Sequence, residues 1–157
     1  MIFPDFNFNA KVWMYVSSQS IDKLTQKTIS DQFLNFAETW KSHGEKVSGK
    51  LTFINDYVVV VGADLLVDSM CGRAVDSQVR FIKDLEQATG FTFMNRQNVC
   101  LNNKDHLYVV AFSDLKQLVE CGDVDENTLI YNSMIQSNNE DIICPISHSP
   151  FGNVIFS

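Results

Sequence analysis

Leu51-Thr52-Phe53-Ile54-Asn55-Asp56-Tyr57-Val58-Val59-Val60-Val61 reads as a β-hairpin. Leu51 and Phe53 share one face of the first arm, Asn55-Asp56 offers a two-residue turn tolerant of positive φ, and the β-branched run returns as the second arm. The stretch leading into it, Gly44-Glu45-Lys46-Val47-Ser48-Gly49-Lys50-Leu51, comes within one residue of a nucleotide-binding P-loop. A P-loop carries a strand into a helix N-terminus, whose amides and dipole hold phosphate, and places Ser or Thr after the lysine to bind magnesium. Here Leu51 stands where that ligand belongs, a helical pattern precedes the motif and a strand pattern follows it. The preceding helix would offer its carbonyl end, so neither a nucleotide cofactor nor ATPase activity is expected.

Upstream of the hairpin, Ala10-Lys11-Val12-Trp13-Met14-Tyr15-Val16 reads as a first strand, with Trp13 and Tyr15 on one face and Val12, Met14 and Val16 on the other. Both faces therefore need cover. Ile29, Phe33, Phe36, Ala37 and Trp40 recur at helical spacing, which predicts a helix from residue 22 or 23 to residue 42 with Gly44 as its left-handed stop. Downstream, Val75, Val79, Ile82, Leu85 and Ala88 form the stripe of a second helix, capped near Asp76 or Ser77 and closed by Gly90.

Apolar runs at 98–101 and 106–112, parted by Asn102-Asn103-Lys104-Asp105, predict another hairpin, and a short helix over 115–121 ends at Gly122. Two short strands are expected at 128–131 and 141–144. The first part of this order, β-α-β-β-α-β, is that of ferredoxin-like α+β proteins, in which two helices cover one face of an antiparallel or mixed sheet. The expectation is a single domain over 1–157 with that order plus C-terminal additions.

Composition narrows the function classes. Nineteen acidic against twelve basic side chains give a net charge of -7, which repels both a phosphate backbone and an anionic membrane. Lys and Arg are scattered, so no nucleic-acid partner is expected, and the longest apolar run, 107–112, is strand-sized, so no membrane partner is either. Met1-Ile2-Phe3-Pro4-Asp5 lacks a secretory pattern, and Cys71, Cys100, Cys121 and Cys144 form no C-x-x-C pair; reduced thiols and a cytoplasmic location are expected. Cys100, Cys121 and Cys144 read as small core residues. Cys144 and His148 are close enough to share a metal but have no second ligand pair, so no metal is expected.

The segment Arg73-Ala74-Val75-Asp76-Ser77-Gln78-Val79-Arg80-Phe81-Ile82-Lys83-Asp84-Leu85-Glu86 resembles the central motif of a family of small cytoplasmic proteins of Bacteroidetes-type bacteria commonly labelled "ABC transporter ATPase". Val12-Trp13-Met14-Tyr15, Trp40-Lys41-Ser42-His43-Gly44, Phe93-Met94-Asn95-Arg96 and Leu129-Ile130-Tyr131-Asn132 extend the resemblance, in order, over most of the chain. The resemblance implies a cytoplasmic bacterial protein but supplies no activity. The label would require a complete P-loop, an acidic magnesium ligand closing a second strand, and a signature loop, and the sequence carries none of them. Where the family tends to have Gly-Cys-Ser-Ile-Asp this chain has Gly72-Arg73-Ala74-Val75-Asp76, and a Ser-Trp pair typical of the family is replaced by Ser149-Pro150.

The polar group with most chemical promise is Cys71-Gly72-Arg73 with Asp76 and Ser77, because a helix N-terminus attracts anions and lowers a nearby thiol's pKa. The plainer alternative makes Asp76 a cap, Gly72 a turn residue and Arg73 a solvated charge. His43 beyond the first helix would cap carbonyls, or join the site if an acid or nucleophile lay within reach. Arg96 and His106 read as surface residues, with Arg96 a further ligand-binding candidate. Asp64, Asp68 and Asp76 form a solvated acidic connection rather than a metal loop. Apolar ends, with Phe3, Phe6 and Phe8 at one and Phe151, Val154, Ile155 and Phe156 at the other, demand cover from the domain or from a second subunit. Two functions follow as expectations. One is a non-enzymatic α+β interaction module with a protein partner, including a homodimer; the other is a small enzyme or anion-binding domain at the second helix N-terminus, using Arg73, Asp76, Ser77, His43 and Arg96.

Overall fold

Four successive valines followed by Gly62 and Ala63, all buried, make the strand β5 (Val58–Asp64) the centre of the molecule. A computed structural model describes residues 1–65 and 70–156. Strand β1 (Lys11–Val16) pairs antiparallel on one side of β5, from Lys11 opposite Ala63 to Val16 opposite Val58. Strand β4 (Ser48–Phe53) pairs on the other, giving the order β1-β5-β4. Side chains alternate along a strand, so Val59, Val61 and Ala63 face one layer and Val58 and Val60 the opposite one, all buried.

The β4–β5 turn departs from the expected two-residue form. Ile54 bonds back to Val58, leaving Asn55, Asp56 and Tyr57 as the loop, with none of them at positive φ. Asn55 makes this possible: its Oδ1 accepts from the amides of Tyr57 (2.7 Å) and Val58 (3.0 Å), so the side chain replaces the backbone bond of a tighter turn.

Helix α1 (Lys23–Glu38) is capped by Asp22, whose carboxylate accepts from the Thr25 amide at 2.8 Å. It stops short of the expected residue 42. Trp40 turns inward instead, and its indole Nε1 donates to the Ala74 carbonyl at 2.9 Å. Next come two short strands, β2 (Lys41–Ser42) and β3 (Glu45–Lys46), joined by His43 (φ 52°) and Gly44 (φ 80°). The left-handed preference of Gly44 is therefore used in a hairpin turn, not a helix stop, and His43 caps no helix. The P-loop-like residues form this hairpin and the start of β4. Gly49 lies there because a Cβ would come within 2.9 Å of the Trp40 ring.

Helix α2 (Gly72–Thr89) starts about a turn earlier than Asp76, with Cys71 in the N-cap position and Gly90 (φ 78°) closing it. Its apolar stripe reaches further back than the Val75–Val79 pattern suggests because Ala74 packs with Trp40, and Gln78, though polar, is fully buried on the Tyr15 hydroxyl. Helices α1 and α2 cover one face of the three-stranded sheet through Tyr15, Ile29, Phe33, Trp40 and Ile82.

The other face is covered by a second sheet. Strands β6 (Asn98–Asn103), β7 (His106–Ala111), β8 (Leu129–Tyr131) and β9 (Ile143–Pro145) follow the order β7-β6-β8-β9, with Lys104 (φ 52°) and Asp105 (φ 66°) forming the β6–β7 turn. Cys100, Leu107, Val109 and Tyr131 meet Val12, Met14, Val58 and Val60 between the sheets. Val99, Leu101 and Ile130 point outward to helices α3 (Leu115–Glu120) and α4 (Gly152–Ile155). The α+β class is as expected, and β1-β5-β4 matches three strands of ferredoxin-like order. The strand following α2, however, stacks in the second sheet, because β6 has apolar residues on both faces and a face-to-face layer buries both. Residues 136–138 take the outer edge of β1 instead, through Gln136 carbonyl to Val12 amide (3.1 Å) and a bridge between Lys11 and Ser137.

Most of the apolar side chains at the two ends are covered by their own chain. Phe3 and Phe6 are buried over Gly62, where a Cβ would come within 2.4 Å of the Phe3 ring. Asn138, fully buried, accepts from the Phe3 amide (3.0 Å) and donates to the carbonyls of Phe3 (2.9 Å) and Asn7 (3.0 Å). Phe151 and Ile155 enter the outer core, while Phe8 and Val154 remain exposed.

Candidate functional site

The inward turn at Trp40 brings the β2–β3 tip against the N-terminus of α2. Ser42, almost fully buried, is the joint: the Cys71 amide donates to its Oγ at 2.9 Å. The Cys71 thiol is lowered from its ordinary value to about 7, first by the Ser42 hydroxyl and then by the amides of Ala74 and His43, with His43 adding a favourable charge. A hydroxyl both accepts and donates, so one Ser42 oxygen serves the Cys71 amide and its sulfur together. The first-turn amides of α2 add the positive end of the helix dipole. Gly72 leaves the approach open, since a Cβ there would meet nothing within 4 Å.

Of the residues singled out from sequence, His43 alone joins Cys71. Arg73, Asp76 and Ser77 are exposed, and the Ser77 hydroxyl donates back to the Arg73 carbonyl (2.8 Å). Because the helix begins at Gly72, Asp76 and Ser77 lie past the capping position and lose the cap role expected of them. Arg96 shares a cleft with Val75 of α2 that does not include Cys71, Arg73, Asp76, Ser77 or His43, its guanidinium 5.9 Å from the Tyr15 ring centre and donating to the Ser133 carbonyl at 3.3 Å. The five candidates therefore do not converge. Ser42, the residue that matters most beside Cys71, was missed because in the sequence it reads as the last residue of a helix.

The other thiols differ. Cys100 is buried between the sheets and burial pushes it up to about 12, a weak bond from Asn55 opposing. Cys144 is half-buried and also raised by burial. Cys121 is exposed at the end of α3, a correction to its expected place in the core: the helix ends on the surface with its apolar residues turned away from that position. Cys144 and His148 border one cleft, and among the described residues no three His, Cys, Asp or Glu side chains are placed to hold a metal. Asp64 bonds Asn7 (2.9 Å), and Asp68 lies outside the described residues. His106 stacks on Tyr108 with ring centres 5.4 Å apart. Lys50 of the P-loop-like stretch pairs with Asp5 at 2.9 Å and lies over the Phe6 ring. Among the described residues no helix is long and apolar enough to cross a membrane.

Comparison with family models, curated proteins and solved structures returned no match, so the functional reading rests on the chemistry of the site.

Proposed function

We propose that the protein acts through Cys71 as a thiolate that exchanges reversibly with low-molecular-weight disulfides, a stoichiometric binding reaction at the N-terminus of α2. The observation that carries this reading is the Ser42 clasp on the Cys71 backbone, the Cys71 amide donating to Ser42 Oγ at 2.9 Å, which fixes the residue at the N-terminus of α2 where Ser42, two backbone amides and His43 lower the thiol's pKa. The thiolate attacks one sulfur of the disulfide, the new Cys71 S–S bond forms as the old one breaks, and the departing thiolate takes a proton from water. No other cysteine packs in the Cys71 layer among the described residues, which favours a mixed disulfide over an internal one.

Exposed Cys121 provides the internal control. Incubation with oxidised glutathione followed by peptide mass spectrometry should show the adduct on Cys71 forming at least about fivefold faster than on Cys121 near neutral pH. Equal rates at the two sites would rule the reading out.

A protein-partner reading retains one support: exposed Leu34 borders an apolar cleft with Ile2, Phe3, Pro4, Phe33 and Leu51. Light scattering tests it, and a monomer at all concentrations removes the homodimer form.

A further inference from the structure

A cleft of about 510 Å³ opens where β1, the first turns of α2 and residues 133–136 meet. Its lining includes Lys11, Trp13, Val75, Arg96, Ser133 and Gln136, and no acidic side chain. That is the size range of small-molecule sites. In a chain of net charge -7, two cations facing one concavity without an acid are the local exception to the protein's field. Among the described residues neither Lys11 nor Arg96 has a carboxylate partner; all three ion pairs involve other lysines.

Arg96, an exposed residue, reaches the cleft through two contacts. The Ser133 carbonyl takes one of its five N–H donors and the Tyr15 ring lies beneath its guanidinium. The remaining donors are available to an anion in the bidentate manner favoured by carboxylates and phosphates. Trp13, Val75 and Ile135 provide an apolar wall, and Ser133 and Gln136 a polar one.

We infer that this cleft binds a small organic anion, a carboxylate or phosphate carried on a flat apolar body. The anion meets Arg96 and Lys11, and the body lies against Trp13. This site is independent of the thiol, since Cys71 is not in its lining.

The test is an amide NMR titration of the full chain with benzoate, phenyl phosphate and neutral benzamide. One or both anions should shift Trp13, Val75 and 133–136 saturably at millimolar concentration, with benzamide about tenfold weaker. The tighter of the two anions identifies the headgroup. Lys11→Gln, which keeps the backbone pairing of β1 and changes an exposed side chain outside the three ion pairs, should weaken the anion about fivefold, and Arg96→Gln by more, while Lys50→Gln changes nothing. Equal binding of benzamide, shifts confined to other surfaces, no saturable shift with either anion, or full affinity in the Lys11→Gln variant would each overturn the inference.

Discussion

Cys71 and Cys100 are the same side chain in opposite surroundings. Cys71 stands at a helix N-terminus among donors that favour its charged form, whereas Cys100 lies between two sheets where a charge has almost nothing to solvate it. The thiols are held at about 7 and about 12, so near pH 7 roughly half of Cys71 and ~10⁻⁵ of Cys100 is thiolate. The contrast shows that thiol chemistry here is set by which layer of the fold surrounds the sulfur.

Alkylation with iodoacetamide should make that contrast visible in its largest form. At pH 7 Cys71 should react at least about a thousandfold faster than Cys100, and its rate should climb between pH 6 and pH 8 as the thiolate fraction rises, then level. Urea should collapse the difference. A ratio near one in the native protein would break the comparison.

Trp40→Ala should bring a smaller but structural effect, about 3–5 kcal/mol of lost stability in a urea titration. The indole touches Phe33 and Phe36 and holds the first turn of α2 through the Ala74 carbonyl. Trp40→Phe keeps most of the ring and drops that bond, so it should cost less while still slowing Cys71 alkylation. Fast alkylation in a folded Trp40→Phe variant would show that the helix start is fixed by other contacts.

Ser42→Ala sharpens the comparison most finely. Its thiol loses the largest single cause of its lowered pKa, so the midpoint of the alkylation profile should move up and the rate at pH 7 fall by about three- to tenfold. Cys100 should be unchanged, because its thiol depends on burial between the sheets. An unshifted Cys71 midpoint would remove Ser42 from the site.

Much of the fold was legible where the local pattern and the tertiary need coincide. Val12, Met14 and Val16 against Trp13 and Tyr15 announced a strand buried on both faces, and both are buried or half-buried. What covers each face was not legible, since an alternating strand accepts helices or a sheet equally well. Gly44 was rightly read as left-handed but assigned to a helix stop, because the same φ serves a hairpin turn. Asn55 and Asp56 marked a reversal, yet the loop length followed from the amides that Asn55 reaches. At the site, Cys71 and its helix N-terminus were readable as a promising pair, whereas the expected convergence of Arg73, Asp76, Ser77, His43 and Arg96 was not encoded locally: only His43 lies beside Cys71, and Arg96 lines a separate cleft.

Side-chain alternation, helical spacing and turn chemistry are steric properties of neighbouring residues, so the longer strands, two long helices and an α+β class could be anticipated from the chain alone, while the short β2 and β3 could not. The stacking of β6 in a second sheet and the meeting of Ser42 with Cys71, 29 positions apart, depend on which distant surfaces fit. No local spacing encodes that choice, because it is made by burial summed over whole faces and becomes definite only when the layers close.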